Sequence, residues 1–259
     1  MTAPNAPPDW FTTAEEANPR ILERVASATC NLQLPLQISL MPRQAFWFLV
    51  NSMQLANRAN RERMHANALS ITRQCLEAIS VLELGLAQTA GAASLLERWE
   101  SERANAGEIR KWLEGNLWGS YGPGLWSERW ADFMGKLCKA IQPYAHYSPK
   151  LAQWQSRLHD VREDPKDGGI IAIVECGSNA YDPQKATRIT LFHALLSFAL
   201  ARIWIANNRA ADPASEALIE RLRVALGRSH YLDGDHTKWD EQFWAMLWFK
   251  DGNDCPSSG

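Results

Sequence analysis

Arg73 and Glu77 stand four residues apart in Arg73-Gln74-Cys75-Leu76-Glu77-Ala78, a spacing that puts both on one face of a helix. An arginine fork in a groove holds a phosphate or a carboxylate, and a neighbouring carboxylate positions the group being held. The plain alternative is an ion pair. Further along, His146 lies within Pro143-Tyr144-Ala145-His146-Tyr147-Ser148-Pro149, between the end of one helix and the proline-started beginning of the next. A helix junction can hold a side chain and still expose it, which suits a histidine to acid–base work. Its alternative is a histidine bonded to a nearby carbonyl within the turn. Arg188 and His193 form a third constellation, in Arg188-Ile189-Thr190-Leu191-Phe192-His193.

The Arg73-x-x-x-Glu77-Ala78 pattern on a long helix, followed by Tyr144-Ala145-His146-Tyr147-Ser148-Pro149, resembles uncharacterised bacterial helical proteins grouped with HEPN-type domains. The resemblance covers residues 45–160. Many HEPN proteins are ribonucleases of toxin–antitoxin or phage-defence systems with an Arg-x(4–6)-His signature. Arg188 and His193 fit that spacing, as do Arg58 with His65 and Arg223 with His230. Ile189 stands where the family's arginine is commonly followed by a polar residue, and Lys139 stands where an arginine would precede His146. The resemblance therefore implies, first, a non-catalytic interaction or sensor module in a bacterial defence or stress system. The alternative is a metal-independent ribonuclease, with a histidine as acid/base and an arginine clamping the phosphate. Under either, the expected site residues are Arg73, Glu77, His146, Arg188 and His193. No cofactor or metal is expected, and the expected partner is RNA or another protein.

The elements that must position these residues read as helices. Residues 1–17 are expected to be a disordered arm, and Asn18-Pro19 to open a helix reaching about Ala28. Asn31 to Met41 has an apolar residue at every second position and reads as extended, although Pro35 weakens a strand there. From Pro42 to Gly91 apolar residues recur at helical spacing, predicting one very long helix or two in series with a break near Asn57–Asn60. Helices follow over Ala92–Arg103, Ile109–Leu117, Leu125–Ile141 and from Ser148-Pro149 to about His159. The stretch Arg162–Gly169 is a loop and a possible sub-boundary (160–169), and Ile170–Val174 a lone strand or buried connector. Asp182-Pro183 and Asp212-Pro213 each cap a helix, the first ending near Asn208 and the second near Gly227. An aromatic-rich helix over Thr237–Lys250 and a disordered tail 251–259 complete the chain. The predicted fold is mostly α, a single domain over 18–250. It is a multi-helix bundle of long antiparallel helices with at most one or two short strands, dimerising through its long helices.

The totals limit the function classes. A chain of 259 residues buries a sizeable core, and a formal charge of −2 argues against a generally basic nucleic-acid binder. A basic groove is still conceivable locally, with Arg58, Arg61 and His65 on one helix and Lys185, Arg188, Arg202 and Arg209 on another. Five widely spaced cysteines show neither a zinc pair nor a disulfide framework, as expected of a reducing cytoplasm. The Ile189–Ala206 stretch is the most membrane-like, but His193 and Arg202 within it make a buried bundle helix the better reading. The twelve tryptophans are read as interhelical packing rather than base-stacking platforms.

Overall fold

A computed structural model describes residues 7–166, 168–176, 181–208, 212–229 and 232. The expected final helix over 237–250, the tail 251–259 and the first six residues of the expected arm lie outside them. Among the described residues nine α-helices and one two-stranded antiparallel sheet make a mostly α bundle.

α1 (Asp9–Cys30) begins well before the expected Asn18-Pro19 start and carries Pro19 inside it. Pro8 at the N-cap and Asp9 in the first turn provide the same kind of start earlier. The buried series Trp10, Ala14, Ala17, Ile21 and Val25 has helical spacing throughout. Burial of that stripe outweighs the cost of an interior proline, about 3 kcal/mol.

α2 (Leu36–Arg61) replaces most of the expected extended segment. In the alternating series Leu36, Ile38, Leu40, only Ile38 is buried, while Leu36 and Leu40 remain 74% and 43% exposed. The inward face is instead Ile38, Pro42, Phe46 and Leu49, at helical spacing. α2 ends at Arg61, past the expected break, because Asn57 and Asn60 direct their side chains into tertiary bonds while their backbones stay helical. Arg63 takes a left-handed φ of 70°, and the Met64 amide bonds back to the Ala59 carbonyl at 2.8 Å, a Schellman-type stop.

α3 (His65–Ala87) returns antiparallel against α2. They come close at Gly85, where a Cβ would stand 2.2 Å from Pro42 Cγ. Short helices α4 (Ala90–Glu100) and α5 (Ala106–Asn116) follow, with Thr89 and Asn105 as side-chain N-caps.

α6 (Trp130–Ile141) starts five residues after the expected Leu125. The cause is Glu128, whose carboxylate accepts the amides of Leu125, Trp126 and Ser127 at 2.8–3.0 Å and holds them as a loop. α7 (Pro149–Gln153) begins at the expected Ser148-Pro149 cap but is short, because the chain turns into β1 (Ser156–Glu163). β1 pairs antiparallel with β2 (Ile170–Cys176), with a bulge between Leu158 and Asp160. The expected 162–169 loop becomes a hairpin turn in which the Asp164 amide bonds to the Gly169 carbonyl at 2.6 Å.

α8 (Pro183–Asn207) is the central helix, with every residue from Leu191 to Ala201 buried. It is long and apolar enough to cross a membrane by composition, but 78% of its most apolar window is buried inside this fold. α9 (Pro213–Gly227) packs on α1 and α8. Tryptophans serve the core: Trp130 sits 5.1 Å from Phe133 and 6.2 Å from Phe198, ring centre to ring centre, and Trp10, Trp118, Trp154 and Trp204 are also buried. Trp47 is the contrast, more than half exposed.

Gly85→Ala tests the α2–α3 contact. Alanine adds helix propensity worth about 0.5–1 kcal/mol, but the clash with Pro42 should outweigh it, for a net loss of about 1–3 kcal/mol in urea unfolding. An unchanged or raised midpoint would mean that the two helices do not meet there.

Candidate functional site

Of the expected residues, His193 has the most determined surroundings. Its Nδ1 lies 2.8 Å from Asn57 Oδ1 and its Nε2 lies 2.7 Å from Thr72 Oγ1. The Thr72 hydroxyl also donates its one proton to the Ala68 carbonyl at 2.7 Å, so it meets Nε2 as an acceptor or gives up that bond, and the tautomer of the ring follows from that choice. The ring is 4% exposed, and burial pushes its pKa down to about 4. At neutral pH it is an uncharged imidazole with both nitrogens engaged. Through it, α8 is tied to α2 and to α3.

A second bridge lies beside it. His65, at the start of α3, donates from Nδ1 to Asn60 Oδ1 at 2.8 Å and accepts the Asp182 amide on Nε2 at 3.2 Å. Asn60 in turn donates from Nδ2 to the Ala186 carbonyl at 3.0 Å. Burial, partly offset by Asp182, lowers the His65 pKa. Asn57 and Asn60, one turn apart on α2, thus each hold a histidine, Asn57 that of α8 and Asn60 that of α3.

The Asn57–His193 bridge forms part of the wall of a cavity of about 670 Å³ between α1, α2 and α8. Phe11, Met53 and Ala194 contribute apolar surface, and Asn18, Arg61 and Thr190 polar surface. The cavity has the size of a small-molecule site, but its histidine is locked. It offers shape and amide hydrogen bonding in place of a proton-transfer base.

The structure does not bring the other expected residues to this site. Arg188 is buried on α8, 8% exposed, five residues and therefore well round the helix from His193. Arg73 is paired with Glu77 at 3.0 Å and donates to Gln142 Oε1 at 3.0 Å. Its charge is thus matched within its own helix. His146 lies exposed in the bend after the 3-10 turn Gln142–Tyr144, four residues beyond the Gln142 that Arg73 contacts.

The expected basic groove does not form from its named members. His65 begins a new helix and faces inward, and Arg58 pairs with Glu62 at 2.9 Å. Lys185 donates to the Trp154 and Ser156 carbonyls at 3.0 and 2.7 Å, anchoring the hairpin base to α8. Arg202 donates to the Tyr121 carbonyl. Arg209 lies outside the described residues. Lys185 and Arg202 thus serve as backbone anchors.

Among the described residues, no group of three or more His, Cys, Asp or Glu side chains is placed to hold a metal. Cys75 is buried, which pushes its thiol pKa up to about 12 and makes it a poor nucleophile.

One buried acid was not anticipated. Glu83 in α3 is fully enclosed, accepts the Trp118 indole N–H at 2.8 Å and faces the Tyr121 hydroxyl. Burial pushes its pKa up to about 8, so it is largely protonated at neutral pH. Tyr121 is held in turn by the Asn207 amide at 2.9 Å. A single carboxylate inside Ile79-Ser80-Val81-Leu82-Glu83-Leu84 was the available sequence signal.

Glu83 should make the fold alkali-sensitive. Between the ordinary glutamate pKa, near 4.5, and about 8, the folded state keeps a proton that the unfolded state has released. Stability therefore falls as pH rises through that window. Glu83→Gln should flatten this slope and raise the unfolding midpoint at pH 8 relative to the parent. A variant less stable than the parent at pH 8, with the slope retained, would refute a protonated Glu83.

No protein-family model matches the chain, and no curated protein or solved structure matches it.

Proposed function

We propose that this chain is a non-catalytic, HEPN-like helical module that works by binding, as an interaction or sensor element of a bacterial defence or stress system. The observation that carries this reading is the locked state of His193. An acid/base histidine needs a free nitrogen, a pKa near the working pH and access to substrate. His193 has both nitrogens engaged, a pKa held near 4, and almost no exposed surface. Arg188, the arginine of the same Arg-x(4)-His spacing, is buried away from it. The cavity between α1, α2 and α8 gives a sensor a place for a small ligand.

A metal-independent ribonuclease is the second reading, and one observation favours it. The Arg73–Gln142 bond joins α3 to the 3-10 turn that precedes the bend with the exposed His146. Arg73 would then clamp phosphate and His146 act as the acid/base. Its weakness is Glu77, which already neutralises Arg73.

Total bacterial RNA and a defined tRNA pool, incubated with the purified protein in EDTA, separate the two readings. Intact RNA with the parent, His146→Ala and His193→Ala proteins is the expected result. Discrete cuts that disappear with His146→Ala would overturn the binding-module reading and identify the base. Cuts lost only with His193→Ala, in a variant that keeps its helical circular dichroism, would overturn the locked-histidine argument itself.

A further inference from the structure

At the far end of α1 and α8 from the His193 cavity, three helices stop beside one another, at Cys30, Ala87 and Asn207. Between these ends and the start of α9 lies another cavity, of about 900 Å³. It shares no lining residue with the cavity beside His193. Three of its lining side chains are amides that the protein already holds by one end. Gln88, in a left-handed turn with a φ of 49°, accepts the Gln33 backbone amide on Oε1 at 3.0 Å. Asn31 donates from Nδ2 to the Ser27 carbonyl at 3.0 Å. Asn207 donates from Nδ2 to the Ile203 carbonyl at 2.8 Å and to the Tyr121 hydroxyl at 2.9 Å.

These bonds fix which way each amide faces. A backbone N–H must be met by the amide oxygen, and a carbonyl by the amide nitrogen. Gln88 is therefore left with N–H donors, and Asn31 and Asn207 with acceptor oxygens. Among the described residues nothing bonds to those remaining atoms. The cavity thus offers donors and acceptors whose positions are set before any ligand arrives, which lowers the cost of ordering them on binding.

We infer that this cavity binds a neutral, polyhydroxylated ligand, a sugar of one or two rings. A hydroxyl both donates and accepts, so neighbouring ring hydroxyls satisfy a fixed donor and a fixed acceptor together. Trp204, Leu86 and Ala28 add apolar surface to the wall, against which the C–H face of a pyranose packs. The charged lining residues, Arg24 and Asp212, are paired with each other at 2.8 Å, so neither calls for a charged ligand. The carbonyl ends of α1, α3 and α8 disfavour an anion. The volume is that of a small-molecule site. This site stands independently of any ligand in the cavity beside His193.

The test is saturation-transfer NMR on the full chain with glucose, galactose, mannose, N-acetylglucosamine, maltose and glucose 6-phosphate, each at millimolar concentration. At least one neutral sugar should receive transfer at its ring protons, and glucose 6-phosphate should bind no better than glucose. Two variants locate the site. Gln88→Glu keeps the oxygen that accepts the Gln33 amide and removes the donors, and Asn31→Ala removes one acceptor at an exposed position. Each should weaken binding of the sugar about 3–10-fold in a titration, with circular dichroism showing the helices intact. No transfer to any of the neutral sugars would overturn the proposal. Binding that neither substitution changes would place the sugar elsewhere and overturn it too. Tighter binding of glucose 6-phosphate than of glucose would overturn the neutral class of ligand.

Discussion

A buried imidazole between Asn57 and Thr72 sets the arrangement of the three longest elements in the core. α2 and α3 form an antiparallel pair through apolar packing and the close approach at Gly85. Apolar packing alone leaves such a pair free to slide along a third helix, since one leucine surface is much like another. His193 removes that freedom, because its two ring nitrogens have partners on two different helices. The neighbouring His65–Asn60 bridge, which reaches the Asp182 amide and the Ala186 carbonyl, fixes the N-terminal end of α8 in the same register. Buried polar groups are costly when unpaired and specify a unique packing when fully paired. Both histidines are of the second kind.

The same constraint governs the functional reading. A histidine that registers helices must be neutral and enclosed, and those conditions disqualify it as an acid or base at neutral pH. The side of α2 that holds the histidine bridges also lines the cavity, through Met53, Asn57 and Arg61, so a ligand there would contact the helix that holds both histidines.

How much of this was legible follows from where local signals agreed with tertiary packing. Asp182-Pro183, Asp212-Pro213 and Ser148-Pro149 each start a helix where their cap chemistry places it, because a side-chain acceptor followed by proline acts within one turn. Asn18-Pro19 carries the same signature inside α1, where a buried stripe extending on both sides overrides it. The alternation from Leu32 to Leu40 suggested an extended chain, since regular alternation usually reports one buried face; here Leu36 and Leu40 are exposed on a helix. Arg188, His193, Arg73 and His146 were legible as residue types, but their partners were not. Asn57, Asn60 and Thr72 sit on other helices, and no local spacing announces a bond across more than a hundred residues.

The most direct measurement is the protonation of His193 itself, followed by ¹⁵N chemical shifts of the imidazole from pH 4 to 8, with His193→Gln to assign the signal. The ring should stay neutral, with no titration between pH 6 and 8, and begin to protonate only on approach to pH 4. A His193 signal that titrates near pH 6.5 would contradict this and return the histidine to the candidates for catalysis.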